Sequence, residues 1–206
     1  MTSSTDFNKT WLVEYPIDIG DLGANTVFDF LKSKLSNIKN TKIKVSQNLF
    51  KLEDALYIYY WYQNKKDIII IMQLRKNPQG NLVNLVGKNP DYINTPPYAT
   101  DLYQAALSDS ASSLLFSDSI LSKDGLALWK KLLSNTDNVV SVYNMEEPGK
   151  SFKTLTNPNE LDNYIGIDHS GFRFVLSKRG QSLAETKSFF DTRRYRELSG
   201  LSEDKD

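Results

Sequence analysis

Several short runs of the 206-residue chain carry side chains whose types and spacing could do chemistry. Ser117-Asp118-Ser119 places a carboxylate between two hydroxyls directly after the apolar run Leu114-Leu115-Phe116. Strand ends are where sheets flanked by helices collect the polar groups of a site, so Asp118 could carry a proton and Ser117 a reactive or orienting hydroxyl. The same residues also serve as turn formers leading to a helix entry at Ser122. Tyr98 and Thr100 flank a helix start, where backbone N–H groups and a hydroxyl can receive a phosphate or another anion, or can simply cap the helix. Near the C-terminus Lys187, Arg193, Arg194 and Arg196 alternate with Phe189, Phe190 and Tyr195. A basic stripe of this kind can hold a phosphate backbone or an acidic protein partner, unless Glu185, Asp191 and Glu197 neutralise it at helical spacing. Glu53 and Asp54 form a turn in which a carboxylate could act as a base through water, although acids are ordinary turn residues.

The composition narrows these options. Cysteine is absent, which excludes disulfides, thiolate nucleophiles and thiolate metal sites. One histidine, His169, lies in the loop-like run Ile167-Asp168-His169-Ser170-Gly171, and no serine–histidine–carboxylate set can be traced around it. A metal site would have to be built almost wholly from carboxylates. Twenty-five basic and 25 acidic residues balance to zero net charge, which argues against a surface devoted to nucleic acid and leaves room for a local basic patch. The longest apolar run, residues 68–72, is too short to span a bilayer, and the first residues have neither a basic start nor an apolar stretch. We therefore expect no membrane segment and a cytoplasmic or virion-associated protein.

The elements that must position these groups follow from periodicity. Val27, Phe28, Leu31, Leu35 and Ile38 recur at three- and four-residue spacing and predict an amphipathic helix over 24–38. Residues 42–52, 56–63, 67–74 and 81–86 are β-formers separated by short turns, which predicts a four-stranded antiparallel meander. Tyr57, Tyr59 and Trp61 would lie on one face of the second strand and Tyr60 and Tyr62 on the other, suited to base stacking or, more simply, to packing on both faces of a sheet. A proline-containing loop leads to a helix over 98–108, a short strand at 113–117, a helix beginning near Ser122, and a strand at 139–143. Beyond these, 152–155 and 172–176 have strand character, 159–164 reads as a short helix and 183–198 as a helix. The fold class expected is α+β, a central and mostly antiparallel sheet flanked by helices, with a core over residues 1–147 and an extension over 148–206.

This order of elements over residues 24–145 resembles the GNAT acetyltransferase superfamily. In that family an Arg/Gln-x-x-Gly-x-Gly/Ala loop cradles the coenzyme A pyrophosphate at a helix N-terminus; here the matching stretch is Asn94-Thr95-Pro96-Pro97-Tyr98-Ala99. Ala99 fits the small last position, Pro97 stands at the central glycine and brings no N–H, and Asn94 stands at the basic or amide position. Gly125-Leu126-Ala127-Leu128-Trp129-Lys130-Lys131-Leu132 is similar to the family's Ala-x-x-Leu-Tyr-x-Lys helix, with Trp129 at the tyrosine that commonly protonates the leaving thiolate. An indole cannot act as a general acid near neutral pH.

The resemblance implies an acyl-coenzyme A ligand, acetyl-coenzyme A or another, lying along Val86, Gly87, Pro97, Tyr98, Ala99 and Thr100 beside the strand at 113–116. Ser117 and Asp118 would then face the reacting centre, and the acceptor is not identified. Segment 87–143 and the run 183–194 also look like uncharacterised proteins of tailed phages. That second likeness implies the alternative expectation, a non-enzymatic structural or accessory protein that uses the fold for homo-oligomer or virion assembly, with Arg193, Arg194 and Arg196 gripping a protein partner.

Overall fold

The computed structural model describes residues 24–77, 80–109, 114–118, 121, 123–144, 153–165 and 171–180. The N-terminal 1–23 and the C-terminal 181–206, with the expected helix at 183–198, lie outside the described residues.

The architecture is α+β. Helix α1 (Ala24–Asn37) precedes strands β1 (Ile43–Lys44), β2 (Leu49–Glu53), β3 (Tyr57–Asn64), β4 (Asp67–Arg75) and β5 (Asn81–Lys88). Helix α2 (Ala99–Ser108), β6 (Leu115–Phe116), α3 (Lys123–Leu133), β7 (Asn138–Asn144), β8 (Lys153–Thr154) and β9 (Phe172–Lys178) follow, with 3-10 turns at Pro90–Tyr92 and Pro158–Tyr164. All strands join one nine-stranded sheet in the order β1-β2-β3-β4-β5-β6-β9-β7-β8.

The meander has five strands where four were expected. Val45 N and Ser46 N both donate to Leu49 O, at 2.9 and 3.2 Å, so the continuous β-forming run 42–52 folds back on itself at Ser46-Gln47-Asn48. The second half of the chain completes the sheet by insertion: β9 lies between β6 and β7 and is antiparallel to both. The described part of 148–206 is thus continuous with the sheet.

Each face of the meander buries its own set of side chains, as the period of two along a strand requires. On one face Phe28 and Leu31 of α1 cluster with Leu52, Tyr59, Trp61 and Ile71. On the other, Tyr60, Met72 and Leu74 pack with Leu102 and Ala106 of α2 and with Trp129 and Leu132 of α3. The aromatic strand β3 therefore supplies both cores, and its rings are packing residues. Helix α1 crosses β5 so closely at Gly87 that a Cβ there would lie 2.7 Å from Phe28 Cα; only glycine admits this approach. No described helix is long and apolar enough to cross a membrane.

Candidate functional site

The site begins where the sheet changes from antiparallel to parallel. β5 and β6 run parallel through only two register pairs, Asn81 with Leu115 and Leu82 with Phe116. Two local causes separate them beyond that point. First, Gln73 of β4 faces Leu85 while Leu74 faces Val83, so Asn84 is an extra residue that bulges β5. Second, Ser117 N donates to Phe174 O at 2.8 Å and Phe174 N donates to Ser117 Oγ at 2.9 Å, so the chain leaving β6 follows β9. From Val83 to Lys88 no described strand pairs with the β6-facing edge of β5.

Ser117 and Asp118 stand at the closed end of this split. Ser117 is buried with its hydroxyl bonded to the β9 backbone, and Asp118 is half-buried. Val86 is half-buried against the α2 and α3 core. Gly87 lies under α1, on the opposite face.

The open end of the split meets the start of α2. Lys88 Nζ donates to Thr95 O at 2.7 Å and Pro97 O at 2.5 Å, pinning the proline loop to the strand end. Burial lowers the Lys88 pKa, and the Asp101 charge partly offsets this. Tyr98 N donates to Asp101 Oδ2 at 2.6 Å, so the first turn of α2 uses its own carboxylate as a cap. The exposed Tyr98 ring has Lys88 Nζ and Lys131 Nζ each 5.4 Å from its centre, and Tyr98 Oη donates to Asn94 O at 3.3 Å. Pro97, Ala99 and Thr100 are half-buried. The structure thus brings Pro97 and Tyr98 to Lys88, with Ala99 and Thr100 following in the first turn of α2 and Val86 packed on the core two residues before Lys88. It keeps Ser117 and Asp118 at the other end of the β5 edge.

Lys88, Lys131 and Asn84 are functional candidates that the sequence reading did not single out. Lys88 ends a strand before Asn-Pro, a position that signals a turn and not a site. Lys131 reaches Tyr98 only because α3 packs beside α2. A bulge leaves no mark in strand periodicity as short as this.

Other sequence candidates are accounted for differently. Trp129 is 1 % exposed and packs edge-on against Tyr103, ring centres 6.0 Å apart, and against Phe174 at 5.8 Å, so its position belongs to the core. Glu53 accepts Lys51 at 2.6 Å and Lys76 at 2.9 Å. These bonds, that from Lys51 foremost, lower its pKa and make it a poor base. Lys51 is also 2.9 Å from Asp109, which accepts Tyr60 Oη at 2.9 Å, so the network ties β2 and β3 to the end of α2. His169, Ser119, Lys187, Arg193, Arg194 and Arg196 lie outside the described residues. Among the described residues, no group of three or more histidines and carboxylates is placed to hold a metal ion.

Acyl-coenzyme A meets a mixed fit at this split. Lys88 and Lys131 offer positive charge beside the α2 start, while Pro97 lacks an N–H and Asp101 already holds the N–H of Tyr98. No family model, curated protein or solved structure matches this chain.

Proposed function

We propose that the protein binds an acyl thioester along the β5 edge and transfers the acyl group to an acceptor, as an atypical member of the acyltransferase class that its element order resembles. The observation that carries this reading is the split after Leu82 and Phe116, with Asn84 bulged at its closed end. A β-bulge re-aims backbone N–H and C=O groups. The edge from Val83 to Val86, which no described strand pairs, offers such groups to the negative charge that develops on a thioester carbonyl oxygen during attack. The acceptor's nucleophilic atom forms the new bond to the carbonyl carbon, the carbon–sulfur bond breaks, and the acceptor's proton passes through Asp118 or water to the leaving thiolate. Positioning supplies most of the rate in this scheme, because Trp129 cannot serve as the acid.

The test is a calorimetric and thermal-shift titration with acetyl-coenzyme A and with free coenzyme A. A ligand selective for the native state stabilises it by about 2.7 kcal/mol at a hundredfold excess over Kd. A saturable shift that weakens in Lys88→Met supports the reading. No shift at millimolar ligand with a folded protein overturns it.

A second reading has its own observation. The places an incoming diphosphate would use are filled from within, Lys88 by two carbonyls of the loop and Tyr98 N by Asp101. Under this reading the chain keeps its scaffold for assembly with a protein partner, and the described surface is structural. Light scattering and partner capture by the full chain, in the absence of coenzyme A binding, support it; a monomer that captures nothing removes it.

A further inference from the structure

On the face of the meander opposite α2 and α3, the C-terminal end of α1 overhangs the sheet and leaves a hollow of about 320 Å³ lined by Lys34, Asn37, Ile38, Asp54, Tyr57, Tyr59 and Gln73. Its floor is built. Gln73 is 1 % exposed; its Nε2 donates to Tyr59 Oη at 2.9 Å and its Oε1 accepts Asn84 Nδ2 at 2.5 Å. This buried amide string fixes the floor across three strands, which is how a binding surface holds its shape before a ligand arrives. The rings of Tyr57 and Tyr59 stand beside each other with centres 6.3 Å apart and planes at 56°.

The walls carry opposite charges. Asp54 Oδ1 accepts Leu56 N at 2.8 Å and Tyr57 N at 2.7 Å, which locks the carboxylate in the β2–β3 turn. The neighbouring Lys76 is spent on the main-chain oxygen of Asp54 and the carboxylate of Glu53. Lys34, on the helix wall, lies 5.3 Å from the Phe30 ring centre.

We propose that this hollow is a binding site for a small zwitterion of the free α-amino acid class. Asp54 takes the ammonium, Lys34 and the Asn37 amide take the carboxylate, and the half-buried Tyr57 ring covers the side chain, with the buried Tyr59 ring packed beside it. A cation beside an aromatic face and a carboxylate is held by both. The volume suits a ligand of that size and is small for a nucleotide. The residues assigned to the zwitterion all lie off the β5 edge, so the proposal does not rest on thioester binding; Asn84 of β5 only braces the floor through Gln73.

The experiment is a titration of the full chain with each common amino acid to about 10 mM, several times a Kd in the millimolar range, read by NMR at the side-chain amide protons of Gln73 and Asn37. We expect saturable shifts at these amides for a subset of the amino acids, with the corresponding amine lacking a carboxylate and acid lacking an amine binding at least tenfold more weakly. Asp54→Asn keeps the Oδ1 acceptor of the turn and removes the charge; it and Lys34→Gln should each weaken binding about tenfold while the remaining spectrum stays folded. No saturable shift for any amino acid overturns the proposal. So does binding that Asp54→Asn leaves unchanged, or shifts confined to a second hollow that shares Ile38 and is lined by Ser36, Trp61 and Gln63.

Discussion

The backbone of Phe174 and the residue Ser117 exchange two hydrogen bonds, one from Ser117 N to Phe174 O at 2.8 Å and one from Phe174 N to Ser117 Oγ at 2.9 Å. A side chain here takes the place of a ladder partner, and β6 is turned from β5 toward β9. Ser117→Ala should leave the buried Phe174 N–H without its acceptor and destabilise the fold by about 1–3 kcal/mol. Denaturant unfolding measures this, and an unchanged midpoint would remove the hydroxyl from the account of the split.

Gly87→Ala tests the contact between α1 and the sheet. The added Cβ would lie 2.7 Å from Phe28 Cα and 2.9 Å from Phe28 N, both backbone atoms that cannot rotate away. We expect a loss of about 1–3 kcal/mol in thermal or denaturant unfolding as α1 is pushed off β5. The same substitution at the open position Gly180 is not equivalent, because its positive φ of 88° adds backbone strain.

The Lys51 network confers a pH dependence with two sides. The hydrogen bond from Lys51 is the largest cause lowering Glu53 below its ordinary 4.5, so the stabilisation from Glu53 is present above about pH 4.5 and is lost as pH falls through the lower folded value. Burial works against charging Lys51, but its bonds to Glu53 and Asp109 prevail and raise it above its ordinary 10.5. Its contribution is therefore complete below that value and is lost as pH rises further. Unfolding midpoints followed from pH 3 to 11, roughly from below the ordinary Glu value to just past the ordinary Lys value, should be flatter at the acid end in Lys51→Met. That variant also removes the cation from the part-buried Asp109 carboxylate, which keeps the Tyr60 Oη bond, and should cost about 1–3 kcal/mol near neutral pH.

Lys131 and Lys88 separate the two functional readings. If the thioester binds as proposed, Lys131→Ala should weaken coenzyme A about five- to tenfold, an effect of roughly 1 kcal/mol for an exposed charge, without lowering stability. Lys88→Met should weaken it further and loosen the loop at Thr95 and Pro97. Equal affinity in wild type and Lys131→Ala would move the diphosphate away from Tyr98.

Local pattern accounts for how much of the fold was legible. The spacing of Val27, Phe28 and Leu31 identified α1, and Leu102, Tyr103, Ala106 and Leu107 marked the buried stripe of α2. The β-forming runs ending at Gln63, Leu74 and Val86 became β3, β4 and β5 within two residues of their expected ends. The run 42–52 was read as one strand because a turn without glycine or proline, Ser46-Gln47-Asn48, scarcely interrupts its β-forming pattern. The candidate site was legible at Tyr98, Thr100 and Asp118 as residue types, and Lys88, Lys131 and Asn84 were not.

By itself, the sequence determined the class α+β, the meander, the two-faced aromatic strand and the absence of thiol chemistry, because each depends on composition or on a period of 2 or 3.6 residues. Only the tertiary structure decided that β9 enters between β6 and β7, that Trp129 is sealed in the core between Tyr103 and Phe174, and that Gln73 joins Tyr59 to Asn84 across three strands. These are pairings between residues far apart in the chain. Local propensity does not specify such partners; burial selects them, since an inward polar group without one is costly and apolar faces must be covered.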